Sequence, residues 1–363
     1  MSDKAGVDIS REPRVTIVVS PRERFGMAQD SLESIYATAG IPFELVYIDA
    51  RSPAYVSDWL KAAAPVRGFR VIHRDRFVNP NEARNMGAAA AKTEFVVFID
   101  NDVICADGWL AALVKAADET GADITAPLVC EGSPVHSRVH QATGSFTNDK
   151  AAFFATPYGK RELIDIMTHH STPLGEVRDQ LRREETDTCE FHCLMVRRAF
   201  LQKIGPEPFD EEMYATKEHI DFCMTAQTKG AKLIFEPSAI VTYVFPNRQS
   251  PMTPDDVPYF LLRWSPQWQI HSLNHMQKKW GLNDGAYFNE IRDPRYLRMR
   301  HFEGYVKPMI RKIPVVRSSS KLREAARRVL NLVIDAKLAG LTAEYEQQRA
   351  AANPSPAPQS PSY

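Results

Sequence analysis

The chain has 363 residues, 44% hydrophobic and 25% charged, enough to bury one large domain or two small ones. Lys plus Arg and Asp plus Glu number 45 each, so no overall field attracts nucleic acid and no such partner is expected. No uncharged run approaches the ~18–20 apolar residues that cross a bilayer, and MSDKAGVDISREPR holds no apolar signal core, so the expected location is the cytoplasm.

Residues 1–13 are polar and are expected to form a flexible N-terminus. VTIVVS (15–20) then makes a short apolar strand, stopped by Pro21, which has no amide hydrogen to give to a ladder. Arg22, Glu23 and Arg24 follow in the loop. Leu32, Ile35 and Tyr36 recur at helical spacing within 27–39. ELVYID (44–49) is a second strand ending in an acid, 56–64 a helix ended by Pro65, 69–73 a third strand, and 81–92 an Ala-rich helix. The run Phe95 to Ile99 reads as a strand buried on both faces, and it ends in Asp100, Asn101 and Asp102. A helix from Gly108 and a strand in ADITAPLV follow. Strand and helix thus alternate for about 130 residues with short connections, the pattern of parallel βαβ units.

In open α/β sheets ligands bind at the carboxyl ends of strands, and carboxylate oxygens suit a hard cation such as Mg2+ or Mn2+. Asp100 and Asp102 therefore read as a metal clamp for a diphosphate; the alternative is a solvated turn in which Asp102 caps the next helix. No Gly-x-Gly-x-x-Gly turn follows the first strand, where SPRERFG has Gly26 alone, and no Walker-type loop occurs. Phosphate handling then falls to metal and basic side chains.

Residues 131–188 are irregular and rich in His, Ser and Thr, with one helix near 174–185, and are assigned to the second substrate. His169 and His170 there read as surface histidines or as metal ligands. EFHCLMVR (190–197) is a strand, followed by a short helix ending at Gly205. A helix from about Lys217 closes on Gly230. Its first turn carries Glu218, His219 and Asp221, acids that the helix dipole alone also favours. AKLIFEP and AIVTYVFP complete the pattern as two strands, the second stopped by Pro246. Cys105, Cys130, Cys189, Cys193 and Cys223 are odd in number and read as reduced packing residues of an intracellular protein.

Residues 251–345 read as a C-terminal helical extension in which Tyr259, Trp264, Trp268 and Trp280 either form a core or cap a site. From 307 to 328, Lys307, Arg311, Lys312, Arg317, Lys321, Arg323, Arg327 and Arg328 face one acid, Glu324. That is a basic amphipathic helix, packed on the domain or lying on anionic lipid at the inner face of a membrane. Residues 346–363 are expected to be disordered.

The order of these pieces resembles a family-2 glycosyltransferase with the GT-A fold, from about Val15 to Tyr243. VTIVVSPRERF with SLESIY is similar to that family's opening strand and helix, and ELVYIDARSP to its second strand with a nucleotide-binding acid. NEARNMGAAAAKTEFVVFIDNDV resembles the Ala-Arg-Asn-x-Gly helix leading into the Asp-x-Asp strand. FDEEMYATKEHIDFCMTAQTKGAKLIFEPSAIV resembles the acceptor-side block. The resemblance implies an α/β fold: a Rossmann-like, mostly parallel central sheet flanked by helices, with a C-terminal helical extension. The GT-A domain would span 14–250, with a nucleotide-sugar half at 14–130 and an acceptor half at 131–250.

The same resemblance implies that Asp49 bonds a nucleotide base beside Ser20 and Pro21, and that Arg84 approaches base or diphosphate. Asp100, Asn101 and Asp102 would hold ribose and metal, Asp100 and Asp102 as the metal pair, and His192 would lie near the sugar. Implied too are a divalent metal, Mg2+ or Mn2+, a nucleotide diphosphate sugar donor, UDP-sugar first, and inverting transfer to a carbohydrate or lipid-linked hydroxyl. The family's usual Glu-Asp pair is Glu218-His219 here. The base is then either His219, with an ordinary pKa of ~6.5, or Glu218 oriented by Asp221. Tyr243 stands where many members place a metal-binding His, and a phenol is a poor ligand for Mg2+. Asp102, diphosphate and water would suffice, or His271 or His275 would be borrowed. Two other functions compete: a non-catalytic nucleotide-sugar-binding protein that keeps the fold, and a nucleotidyltransferase, whose glycine-rich basic loop SPRERFG barely supplies. Oligomeric state is left open.

Overall fold

Five consecutive apolar residues closed by an acid make a strand where both faces are covered, and the chain gives that position to Phe95–Asp100. The computed structural model describes residues 12–245 and 252–352. Its strands are β1 (Val15–Ser20), β2 (Glu44–Ala50), β3 (Arg70–Arg74), β4 (Phe95–Asp100), β5 (Val103–Cys105), β6 (Ile124–Glu131), β7 (Val139–Gln141), β8 (Gly144–Ser145), β9 (Ile166–Met167), β10 (Glu184–Glu185), β11 (Cys193–Arg197) and β12 (Leu233–Tyr243). β8 and β9 pair with each other. The rest join one sheet in the order β10-β12-β6-β11-β4-β1-β2-β3, with β5 added to β12 and β7 to β6.

The block β3-β2-β1-β4 is parallel throughout, and β6 lies parallel to β12. β11 enters between the blocks antiparallel to both β4 and β6, so the sheet is mixed and β6 does not follow β4 in the sheet as it does in the chain. An antiparallel insert needs no crossover helix, which is why the alternation of strand and helix does not announce it.

Helices α1 (Ala28–Thr38), α2 (Ala54–Arg67), α3 (Pro80–Ala90), α4 (Trp109–Thr120), α5 (Lys150–Ala155), α6 (Leu174–Val177), α7 (Arg198–Ile204) and α8 (Glu218–Thr228) connect the strands. Period-two alternation along β1 and β4 divides the core. Val15, Ile17, Val19, Phe95, Val97 and Ile99 pack with α1, α2 and α4 on one face. Val18, Val96 and Phe98 pack with α3, α7 and α8 on the other. Gly87 lets α3 settle onto β1, since a Cβ there would collide with the Val18 side chain.

A C-terminal layer follows: α9 (Val257–Arg263), α10 (Pro266–Trp280), α11 (Ala286–Ile291), α12 (Pro294–Leu297), α13 (Met299–His301), a π-helical turn at Phe302–Val306, α14 (Lys307–Arg311), α15 (Pro314–Ser318) and α16 (Ser320–Ala352). Among the described residues, no helix is long and apolar enough to cross a membrane. The five cysteines are unpaired and buried.

Several boundaries differ from the sequence reading, each for a local reason. α2 runs through Pro65 to Arg67; the proline sits in the last turn, where the carbonyl it deprives of a partner lies near exposed Lys61. The two expected final strands are one, because β12 stays on β6 across a register shift between Glu236 and Ile240. The Glu236 carboxylate steadies that bulge by accepting from Ser238 N at 2.9 Å. The helix expected near 174–185 shrinks to α6 and a 3-10 turn, and Glu184–Glu185 pairs instead as the edge strand β10. The basic stretch 307–328 is no single helix, since Pro314 starts α15 and an extended Ser319 precedes α16. α16 continues to Ala352, into the stretch read as a disordered tail, because its last turns find partners. Arg349 meets Glu212 at 2.6 Å, and the Tyr345 hydroxyl accepts from Asn79 Nδ2 at 3.1 Å. The remaining termini and Pro246 lie outside the described residues.

His301 ties the C-terminal layer together: its buried Nε2 donates to Leu261 O at 2.9 Å, and burial pushes the imidazole down to about 4. The unfolded chain keeps the ordinary value near 6.5. Between those values the unfolded state binds the extra proton, so the stabilisation is whole above about pH 6.5 and drains away as pH falls toward 4. The loss expected by pH 4 is about 3 kcal/mol. Urea midpoints near pH 7 and near pH 5 check it, with His301→Gln, which keeps a donor for Leu261, showing the smaller drop.

Candidate active site

Register assembles the site. Ser20 of β1 lies beside Asp100 of β4, and β11 arrives so that His192 O accepts from Asp100 N at 3.2 Å. The turn after β4 is fixed through Asn101, whose N donates to Ser20 O at 3.1 Å and whose Oδ1 accepts from Arg22 N at 2.8 Å. The loop following Pro21 is thereby held against Asp100.

Asp100 is a fully engaged carboxylate. Arg22 Nη1 lies 3.2 Å away, Arg84 Nη2 3.5 Å and His192 Nδ1 3.1 Å. Burial pushes its pKa up, but Arg22, His192 and Arg84 outweigh that and hold it below the usual range. Arg84 sits 3.9 Å over the Phe191 ring and donates to Asn81 Oδ1 at 2.9 Å; burial lowers it to about 10, so it stays charged at neutral pH. At the start of α8, Glu218 meets Arg263 Nη2 at 2.6 Å and Arg22 Nη1 at 4.0 Å. Burial opposes its ionisation, yet Arg263, Arg84 and Arg22 depress its pKa. Glu23 Oε1 accepts from Trp264 Nε1 at 3.0 Å, and its other oxygen lies 3.3 Å from Arg22 Nε. Charges of opposite sign alternate through a dry cluster, the condition under which buried ions persist.

Asp102 breaks the pattern. It is 0% exposed, and neither carboxylate oxygen has a hydrogen-bond partner among the described residues. Burial, then Glu23 and Asp100 nearby, push its pKa well above the carboxylate range. An orphaned buried carboxylate beside a second acid fits a hard divalent cation, so Asp102 with Glu23 suits the implied metal. Asp100 is already engaged by two guanidiniums and an imidazole, so a cation bound there as well would have to displace one of them. Tyr243 stacks on His192 with ring centroids 4.0 Å apart. His271 and His275 bond Glu212 and Asp210 at 2.9 Å each, which removes them as borrowed ligands for Asp102.

The other expected residues scatter. Asp49 is buried beside Ser57, and accepts from His73 Nδ1 at 2.7 Å, which the β2–β3 register places opposite it. Asp221 does not orient Glu218: its oxygens are taken by Lys279 Nζ at 2.8 Å and Trp280 Nε1 at 2.7 Å, tying α8 to α10. His219 Nε2 lies 3.5 Å from Glu190 Oε1. Arg22, Glu23, Glu190 and Arg263 had no assigned role in the sequence reading. The available signals were a charged Arg-Glu-Arg directly after a buried strand and an arginine inside the apolar run YFLLRW.

The cluster is closed to solvent: Asp100, Asp102 and Arg84 expose 1% or less. α9 covers it, with Tyr259 donating to Val78 O at 2.7 Å and Arg263 buried against Glu218. Beside it lies a cavity of about 870 Å³ lined by Glu23, Tyr243, Phe260, Trp264, Arg300 and Lys307 among others.

The sequence profile described as glycosyl transferase family 2 matches residues 16–205. The chain is 25% identical over 230 residues to a pre-mycofactocin glycosyltransferase of Mycobacterium tuberculosis, covering 63% of this chain and 42% of that protein. It is 33% identical over 116 residues to the succinoglycan biosynthesis protein ExoO of Rhizobium meliloti, covering 32% of this chain and 33% of that protein. The chain thus spans less than half the length of these curated relatives. The mannosyltransferase PcManGT of Pyrobaculum calidifontis, in complex with GDP-Man and Mn2+, superposes with a TM-score of 0.45 at 16% identity, covering 97% of this chain and 80% of that one.

A buried acid kept protonated in the folded chain lowers stability at neutral pH, where the unfolded chain ionises it, and an amide of the same shape carries no such penalty. Asp102→Asn is expected to stabilise the metal-free protein at neutral pH by about 1–3 kcal/mol. Urea unfolding in the presence of a chelator measures it; an unchanged or lower midpoint shows that the carboxylate has a partner.

Proposed function

Since the chain belongs to glycosyl transferase family 2, we propose that it moves a sugar from a nucleotide diphosphate sugar, a UDP-sugar first, to a hydroxyl of a carbohydrate or lipid-linked acceptor. The observation that carries this reading is the partnerless Asp102 at the mouth of the central strand, two residues after Asp100, which meets Arg22 and Arg84. A divalent cation bound by Asp102 and Glu23 would supply Lewis-acid stabilisation of the departing diphosphate. Arg22 and Arg84 offer forked donors to the same oxygens.

In a single displacement the acceptor oxygen attacks the anomeric carbon, the bond to the diphosphate breaks with its electron pair, and configuration inverts. The acceptor proton needs a base. Glu218 is a poor one, because Arg263 at 2.6 Å holds it ionised and depresses its pKa. His219, with Glu190 at 3.5 Å to stabilise the imidazolium, takes that role. A second reading, a non-catalytic nucleotide-sugar-binding protein, draws on the closure of the cluster beneath α9. Product formation separates the two.

Turnover of labelled donors with and without Mn2+ tests the transferase reading. His219→Ala is expected to lower kcat by about 100- to 10,000-fold with little change in donor KM. Asp102→Ala is expected to abolish metal-dependent turnover. Normal transfer by Asp102→Ala overturns the reading.

A peripheral membrane contact belongs to the same proposal. Lys312, Arg328, Leu322, Val329, Leu332 and Val333 are exposed along α16 and the segment before it, and basic residues beside apolar ones favour an anionic surface. Co-sedimentation with phosphatidylserine vesicles at low salt is expected, and loss on replacing Leu332 and Val333 by Ser. No sedimentation at low salt removes the idea.

A further inference from the structure

Beyond His192, on the side away from the arginines, lies a constellation that the displacement chemistry leaves largely unused. β7 and the segment before β11 bring His140, Glu190 and His192 together, with one ligand atom from each inside 4.8 Å of the others. Glu131, His140 and His170 form an overlapping group of the same spacing. Asp102 belongs to neither group.

The imidazoles are oriented from behind. Asp100 Oδ2 lies 3.1 Å from His192 Nδ1, and Glu131 Oε2 lies 2.9 Å from His140 Nδ1. His140 Nε2 then faces Glu190 Oε1 at 3.7 Å. A carboxylate on one ring nitrogen with the other turned toward a shared acid is the outer-shell pattern of metal-binding histidines. The side chains of His140, Glu190 and His192 are 13%, 14% and 4% exposed, a site nearly dry yet reachable.

We infer that His140, Glu190 and His192 form a second cation site, distinct from Asp102, for a borderline divalent transition metal of the Zn2+ class. Two imidazole nitrogens and one carboxylate oxygen make a three-ligand set that leaves a position for water or a substrate hydroxyl. Nitrogen-rich sites disfavour Mg2+ and Ca2+, which take oxygen. Glu131 and Asp100 are positioning residues here, acting through the histidines. The site shares Glu190 with the proposed base His219, and a metal titration reads the site without turnover.

Co2+ is the probe, titrated into the metal-stripped full chain carrying Asp102→Asn so that the other site is silent. One tightly bound equivalent with visible d–d absorption is expected. Adding His140→Gln should remove that equivalent, and Glu131→Gln should weaken it about 10- to 100-fold. Thermal melts confirm folding, and His192→Gln serves the same purpose if His140→Gln does not fold. No coloured equivalent in Asp102→Asn, or one that survives both histidine variants, overturns the site.

Discussion

Removing a guanidinium from water costs several kcal/mol unless an acid meets it, and this chain buries Arg22, Arg84 and Arg263 at the ends of its central strands. The fold around the site follows from that constraint. Asp100 answers Arg22 and Arg84, Glu218 answers Arg263, and Glu23 answers Arg22 again. Every strand end that contributes an ion must therefore stop at the same level, which the β1–β4 register of Ser20 with Asp100 achieves. Within this balanced set Asp102 is the one acid left without a hydrogen-bond partner among the described residues, and burial with Glu23 and Asp100 nearby pushes its pKa well above the carboxylate range.

Much of the scaffold was legible because its signals are local. The doubly buried run FVVFI, the first three strands and the Ala-rich helix each declare themselves through periodicity and punctuation. Residues whose meaning depends on distant chain were not. An arginine in YFLLRW reads as a flaw in an apolar helix until α8 brings Glu218 to it. Asp221 reads as catalytic by its place in the helix start, yet Lys279 and Trp280 decide its role from α10. AKLIFEP and AIVTYVFP read as two strands, and their union in β12 is set by pairing with β6 across a register shift, which is a tertiary fact. The Asp100–Asn101–Asp102 triplet was located correctly in the chain, but which acid is occupied depends on Arg22, Arg84 and His192, from three other segments.

The C-terminal layer bears on function as well as stability. α9 and α16 reach over the sheet ends: Tyr259 bonds Val78 O, Tyr345 bonds Asn79, and Arg51 meets Glu344 at 2.7 Å. A carboxylate with no exposed surface cannot touch a ligand, so any ligand reaches Asp102 after part of this cover has moved. The contacts that would have to part first are few and specific, namely Glu218 with Arg263 and Glu23 with Trp264. Parting them would leave Arg263 and Glu218 buried without their partners, so opening costs electrostatic energy.

Asp100 gains a different meaning from this arrangement. Conventional reading makes it a metal ligand, but its oxygens face Arg22 and Arg84 on one side and His192 Nδ1 on the other. It therefore joins the buried arginines to the His192 imidazole. On one side it anchors Arg22 and Arg84, and on the other it accepts from His192 Nδ1, which leaves Nε2 as the free ring nitrogen. Held below the usual carboxylate range by Arg22, His192 and Arg84, Asp100 in turn fixes where those three groups lie, so the anion and the cations around it position one another.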